Sequence, residues 1–294
     1  MTGGVGGAPR PRRSVLFTPA LNARATAKLG QLAVDGFILD LEDSVAPAAK
    51  PEARAALVKT LAGGGFGRRE RIARVNAMAS PWGAEDLAAI AGAPLDGVLL
   101  PKIETPAEIA AARDILSRAG ARADLALWLM IETPRAVLDC DALAGQPGVA
   151  CLILGFEDLG KALGARALPG RAPMLTALSL VVLAARAHGR SVLDGVHVDI
   201  ADDAGFEAAA VQARDYGCDG KTLVHPRTIE AANRIFSPSA AELDHARRLV
   251  AAHAEALARG RGIAVLDGAM VEQLHVDRAK QLLATAAAIA ELQG

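Results

Sequence analysis

Short runs of aliphatic and β-branched residues recur along the chain, each followed by an alanine-rich stretch whose apolar positions fall at helical spacing. That alternation is the sequence form of repeated βα units. Strands are predicted at 14–17, 37–41, 72–75, 97–100, 126–131, 151–154, 191–193 and 222–224. Helices are predicted at 22–34, 48–61, 83–91, 106–119, 134–143, 173–188, 203–216 and 227–236. Pro106, Pro134 and Pro173 stand where a fixed φ suits the first helical turn, and Asp202 or Asp203 can cap the helix that follows it. Eight parallel strands with eight helices close most economically as a (β/α)8 barrel; an open doubly wound sheet is the alternative. Two further helical stretches, 240–259 and 276–292, exceed what a barrel needs. They predict a helical arm, packed on its own barrel or on a neighbouring subunit. The expected organisation is therefore a loose tail over 1–12, a barrel over 13–238 and an arm over 239–294.

Polar residues are placed unevenly on this pattern. Almost every apolar run ends in a charged or hydrogen-bonding group: Thr18, Asp40-Leu41-Glu42-Asp43, Arg74-Val75-Asn76, Lys102-Ile103-Glu104, Glu132, Glu157-Asp158, Asp194 and His225. In a barrel these ends share one rim, where such folds do their chemistry. Strands must end in polar groups somewhere, yet that does not account for carboxylates at five of the eight ends. Glu132 and Asp158 close adjacent strands. Two acids brought together raise each other's pKa and call for a counter-charge, either a hard divalent cation or a basic side chain such as Lys102 or Arg74.

The chain has 294 residues, enough for a barrel with an extension, and 52% are apolar while only 3% are aromatic. The core must therefore be built from Ala, Leu, Val and Ile. With 32 basic and 33 acidic residues and no run of one sign, nucleic acid and anionic membranes are not expected partners. Cys140, Cys151 and Cys218 lack metal-ligand spacing and are expected as small buried residues in a reducing cytoplasm. The longest uncharged apolar stretch, 172–185, is shorter than the ~20 residues of a membrane span. The glycines at 63–65 and 67 follow a helix and so are expected as a turn rather than a dinucleotide loop. His197 and His225 are expected as rim or structural histidines. Lys102 is expected to stay a charged ammonium among acids rather than form an imine.

Taken in order, 13–19, 40–45, 74–76, 101–104, 131–133, 155–159 and 217–226 resemble the citrate lyase β-subunit-like proteins of the HpcH/HpaI aldolase superfamily. The resemblance implies a (β/α)8 barrel, usually assembled as a trimer or hexamer, and a Mg2+-dependent enzyme. It implies Glu132 and Asp158 as metal ligands, Arg74 as the arginine on the substrate's carboxylate or carbonyl oxygen, and Glu42 as an acid near the metal-bound waters. Gly155, Phe156 and Glu157 correspond to the turn that cradles the substrate carboxylate, and Phe17, Arg24 and Lys28 to the coenzyme A site. The implied reaction is carbon–carbon cleavage of a malyl-CoA or citramalyl-CoA type thioester to acetyl-CoA and a 2-oxoacid. Hydrolysis of malyl-CoA, or action only within a multi-subunit citrate lyase, are the alternatives. Glu272 stands where lyases of the group carry an aspartate, so it is the candidate acid–base carboxylate, supplied from a neighbouring subunit. Its other reading is an exposed acid at a helix N-terminus.

Overall fold

The computed structural model describes residues 10–293. Eight strands, β1 (Ser14–Pro19), β2 (Gly36–Asp40), β3 (Glu70–Arg74), β4 (Gly97–Leu100), β5 (Ala126–Ile131), β6 (Val149–Leu154), β7 (Ser191–Asp194) and β8 (Gly220–Leu223), pair in parallel and in sequence order. β8 pairs back onto β1, which closes the barrel. The helices of this unit are α1 (Ala23–Thr26), α2 (Lys50–Gly63), α3 (Gly83–Ile90), α4 (Pro106–Arg118), α5 (Pro134–Leu138), α6 (Cys140–Ala144), α7 (Phe156–Leu163), α8 (Leu175–Ala187), α9 (Asp203–Tyr216) and α10 (Ile229–Phe236). Proline at N1 and a threonine cap open α4 and α5, and Asp202 caps α9.

The strands carry two apolar faces. Residues between sheet and helices form one large core, whereas Val15, Ile38, Ile72, Leu99, Trp128, Met130, Cys151, Ile153 and Leu193 fill the barrel interior. Strand side chains alternate, so the interior parity can be followed upward along each strand. Two residues beyond the interior apolar layer stand Phe17, Asp40, Arg74, Glu132 and Gly155. This places the polar set inside the barrel mouth rather than under the helices.

Three predicted helices differ from those observed. The stretch 22–34 is a single turn, α1, followed by a 3-10 turn at Leu29–Gln31. Gly30 approaches the Gly65 carbonyl so closely that a Cβ would lie 2.3 Å from its oxygen, a packing that a continuous helix of larger residues would not reach. The stretch 134–143 breaks at Asp139 into α5 and α6. The third, 173–188, begins later as α8, after a 3-10 segment Pro169–Met174 in which Gly170 and Arg171 are left-handed. The 19 residues Pro169–Ala187 are apolar enough to cross a membrane by composition. Here α8 buries Ala177, Leu178, Val181, Ala184 and Ala185 and packs on β6 and β7 as a barrel helix.

Of the expected tail, residues 1–9 lie outside the described residues. Arg12 departs from that expectation. It belongs to the barrel unit, Arg12–Phe236, and binds Glu70 through two nitrogens at 2.7 and 2.8 Å, Ser191 at 2.7 Å, and the face of Trp128 at 4.9 Å. A guanidinium is a planar donor fork that also stacks, so it can do all of this at once.

The segment from Ser237 forms a second unit. A Ser239–Glu242 capping box opens α11 (Ala240–Ala258), a hairpin of β9 (Ala264–Leu266) and β10 (Ala269–Val271) follows, and α12 (Gln273–Gln293) ends it. Ala246, Leu249, Ala264, Val271, Val276 and Ala279 form its own small core. The hairpin was expected only as a helix break. Its turn, Asp267 (φ 50°) and Gly268 (φ 79°), is the Asp-Gly pair that two-residue hairpins favour.

Candidate active site

β2 and β3 pair Asp40 directly opposite Arg74. Arg74 Nε and Nη2 grip the two Asp40 oxygens at 2.7 and 2.8 Å, both residues being buried. Burial alone would push the Asp40 carboxyl up, but the Arg74 fork outweighs it and holds it below its ordinary range. Sequence reasoning named Arg74 as a substrate arginine and missed Asp40 as its anchor. The fork leaves one nitrogen, Nη1, for other work. It lies 2.9 Å from Glu42 Oε2, 3.2 Å from Asp43 and 3.8 Å from Met130 Sδ, and the guanidinium covers the Phe17 ring at 4.8 Å. Glu42 Oε2 is close to Nη1 without hydrogen-bond alignment, whereas Glu42 Oε1 accepts from Lys102 Nζ at 2.8 Å. Burial pushes the Glu42 carboxyl up despite both cations. The Glu42 bond holds the Lys102 ammonium above its usual value against the pull of burial, as a non-imine lysine requires.

Glu132 extends β5 by one residue and is 2% exposed. Its Oε1 accepts from the Lys102 backbone amide at 2.8 Å, a bond made possible by a left-handed Lys102 (φ 53°). A non-glycine residue held there is strained, and such strain gathers at functional sites. Burial, then the nearby Glu42, and to a smaller extent Asp158, push Glu132 up to about 7. Asp158 is half-buried in the first turn of α7, which begins directly after Gly155. Gly155 is required by close approach: a Cβ there would lie 2.4 Å from Glu132 Cβ and 2.8 Å from Glu132 Oε2. The sequence pattern treated 155–158 as a strand end. The residues instead start a helix, with Gly155 as its N-cap and the Gly155 amide donating to the Ile131 carbonyl at 3.0 Å.

Phe17, Asp40, Arg74, Glu132, Phe156 and Asp158 are among the residues lining one cavity of about 390 Å3, whereas Glu42 and Lys102 are not among them. Glu157 is exposed at its edge, and Gly155 and Phe156 are half-buried. Arg24 and Lys28, expected with Phe17 at a coenzyme A site, are exposed and do not line the cavity. Glu272 is an exposed acid just before α12, its amide donating to His275 Nδ1 at 3.0 Å within the second unit. His225 is exposed and caps its own turn, and His197 lines an adjoining cavity beside α7 that shares Phe156, Glu157 and Val196 with the first. The three cysteines are buried and free, and burial raises their thiols.

Among the described residues no group of three or more His, Cys, Asp or Glu is arranged to hold a metal by itself. A cation at Glu132 and Asp158 would therefore have two protein oxygens and take its other ligands from water or substrate, the manner in which Mg2+ is usually held. The donor set fits. Both groups are hard oxygens, and Glu132 is a carboxyl raised first by burial and then by the neighbouring Glu42 and Asp158, a charge that a bound cation would offset.

Comparison with known proteins places this geometry. Residues 13–226 match the family model described as HpcH/HpaI aldolase/citrate lyase. The chain is 45% identical over 280 residues to a (3S)-malyl-CoA thioesterase of Cereibacter sphaeroides, covering 95% of this chain and 96% of that one. It is 35% identical to the citrate lyase subunit beta of Escherichia coli, with 94% of each covered. The CitE protein of Mycobacterium tuberculosis, solved with magnesium, acetoacetate and coenzyme A, superposes with a TM-score of 0.78 at 33% identity, over 95% of this chain and 99% of that one. A closed eight-stranded barrel with this rim, matched along most of its length, belongs to the HpcH/HpaI aldolase/citrate lyase family.

Proposed function

We propose that the protein is a Mg2+-dependent enzyme of malyl-type hydroxyacyl-CoA thioesters, and that it hydrolyses the thioester. The observation that carries this reading is the rim itself: five carboxylates, Asp40, Glu42, Asp43, Glu132 and Asp158, gather around three cations, Arg74, Lys102 and the buried Lys50, beside the turn that opens α7. That arrangement asks for a divalent cation and suits a small carboxylate substrate. Bound Mg2+ would polarise the substrate oxygens it touches. Arg74 Nη1 donates to the substrate carboxylate while Asp40 holds the other two guanidinium nitrogens in place. The amides opening α7 receive the same carboxylate. Glu42, raised by burial and backed by Lys102, takes the proton of the attacking water. Water adds to the thioester carbon, the carbon–sulfur bond breaks, and the thiolate leaves as coenzyme A after protonation. The 45% identity to a malyl-CoA thioesterase supports hydrolysis over cleavage.

One observation favours carbon–carbon cleavage as the second reading. Of the acids lining the cavity, Asp40 and Asp43 accept from Arg74, Glu132 and Asp158 are the proposed metal ligands and Glu157 is exposed at its edge, which favours an enolate acid supplied from elsewhere. Glu272 is an exposed carboxylate that a neighbouring subunit of a trimer or hexamer could supply. Incubation of malyl-CoA with Mg2+ and chromatography of the products separates the two. Malate and free coenzyme A support hydrolysis, whereas acetyl-CoA and glyoxylate, lost in Glu272→Gln, support cleavage. No turnover of malyl-CoA or related hydroxyacyl thioesters with Mg2+ present contradicts both.

A further inference from the structure

Outside the cavity, on the helix side of β7 and β8, lies a buried charged cluster that the proposed chemistry does not use. Asp194, fully buried, accepts from Lys221 Nζ at 2.6 Å and from Arg171 Nη1 at 2.8 and 3.0 Å. Lys221 is itself fully buried and donates a second bond, to the Gly195 carbonyl. Arg171 is held on its other sides as well, by Gln212 Oε1 at 3.1 Å and the Ala209 carbonyl at 3.1 Å, both on α9. Gln212 donates in turn to the Gly170 carbonyl at 2.8 Å.

The backbone at this point is unfavourable. Gly170 and Arg171 are both left-handed, at φ 68° and 54°, and arginine in that region is strained. This conformation sets the guanidinium over Phe156, 5.0 Å from the ring centroid. From Gly195 the opposite constraint arrives: a Cβ there would stand 3.0 Å from Phe156 Cδ2 and 2.4 Å from the Leu154 carbonyl oxygen. Phe156 is thus confined between an immobilised cation and a bare backbone. It is also the first residue of α7, between Gly155 and Asp158.

We propose that Arg171 is a positioning residue for the turn 155–158: locked by Asp194, Gln212 and the Ala209 carbonyl, it fixes the Phe156 ring and through it the amides and the Asp158 carboxylate that meet the ligand. Arg171 touches neither substrate nor metal. The proposal deepens the functional reading above and rests on its assignment of Asp158 and this turn to the site.

The test measures pyruvate binding in the presence of saturating Mg2+ by calorimetry, for Arg171→Lys, Phe156→Ala and the double variant. Arg171→Lys keeps the charge for Asp194 but loses the flat face and the fork. It is expected to weaken pyruvate binding about tenfold, within the range that coupled contacting residues show. If Arg171 acts through Phe156, its substitution has little further effect in the Phe156→Ala background. A purely structural role gives equal losses in both backgrounds, and that result, or unchanged binding in Arg171→Lys, overturns the proposal. Gln212→Ala, which removes two bonds from the strained turn, provides a milder second variant should Arg171→Lys not fold, with a smaller loss expected and the same dependence on Phe156. Asp158→Ala run alongside separates the two levels. Undiminished pyruvate binding there would overturn the site assignment itself, whereas its loss with full binding in the Arg171 and Gln212 variants would overturn only the positioning role.

Discussion

The lower mouth of the barrel and the upper one are each built around an arginine gripping a buried carboxylate. Below, Arg12 meets Glu70 through two nitrogens, spends a third on Ser191 and lies over Trp128. Above, Arg74 meets Asp40 in the same fork, yet Glu42, Asp43, Glu132 and Asp158 add four more acids against two more cations, Lys102 and the buried Lys50. The first arrangement closes a barrel end. The second sets more acids than cations next to a cavity, and burial, with Glu42 and Asp158 adding to it, pushes the Glu132 carboxyl up to about 7. The same ion-pair chemistry thus acts as a seal at one end and as an anchor for reactive groups at the other. The number of acids set against each cation, added to burial, separates them.

The comparison breaks most sharply at Arg12. Arg12→Ala withdraws two charge-assisted bonds from a carboxylate that is 4% exposed, and is expected to cost about 3 kcal/mol of stability. Denaturant unfolding measures this, and turnover per folded molecule should stay at the parent level. A loss of turnover without loss of stability would show that the lower mouth is not a seal.

Arg74→Lys attacks the upper mouth. Lysine cannot grip both Asp40 oxygens and present a third nitrogen, so pyruvate or oxaloacetate binding should fall by roughly 10–100-fold. Because the Asp40 fork is also lost, the thermal midpoint should drop by a few degrees. Unaltered binding, measured by calorimetry, would remove Arg74 from the site.

A smaller effect concerns pH. In the metal-free protein Glu132 keeps its proton to about 7, whereas the unfolded chain releases it near 4.5. The folded state therefore binds more protons between these values, and this contribution to stability is present below pH 4.5 and lost as pH rises to about 7. Mg2+ should recover it, so stabilisation by Mg2+ should be greater at pH 7.5 than at pH 5. Thermal melts with and without Mg2+ check this, and a larger gain at pH 5 would contradict it.

Much of this was legible from hydrophobic pattern. The runs at 97–100 and 126–131 were placed to the residue, because buried parallel strands bounded by turns have little freedom in where they start and stop. Arg74 and Glu132 stood out at strand ends because the rim is a consequence of topology, whereas their expected roles, and that of Asp158, came from the family resemblance. What escaped was tertiary. Asp40 was visible only as part of an acidic run, although its interior parity with Ile38 could have singled it out as the partner of Arg74. α7 was missed because eight residues starting at an uncapped glycine carry few helix signals. Arg171 was invisible, for nothing in a sequence announces an arginine held left-handed by a helix forty residues away.

The central claim is that excess carboxylate at the upper mouth holds a divalent cation through Glu132 and Asp158. Titration calorimetry of Mg2+ into the parent, Glu132→Ala and Asp158→Ala tests it most directly. The account predicts a single site in the parent and affinity reduced by more than ~100-fold in each variant, a larger loss than outer-shell substitutions give. Unchanged Mg2+ affinity in both variants, with native circular dichroism, would contradict it.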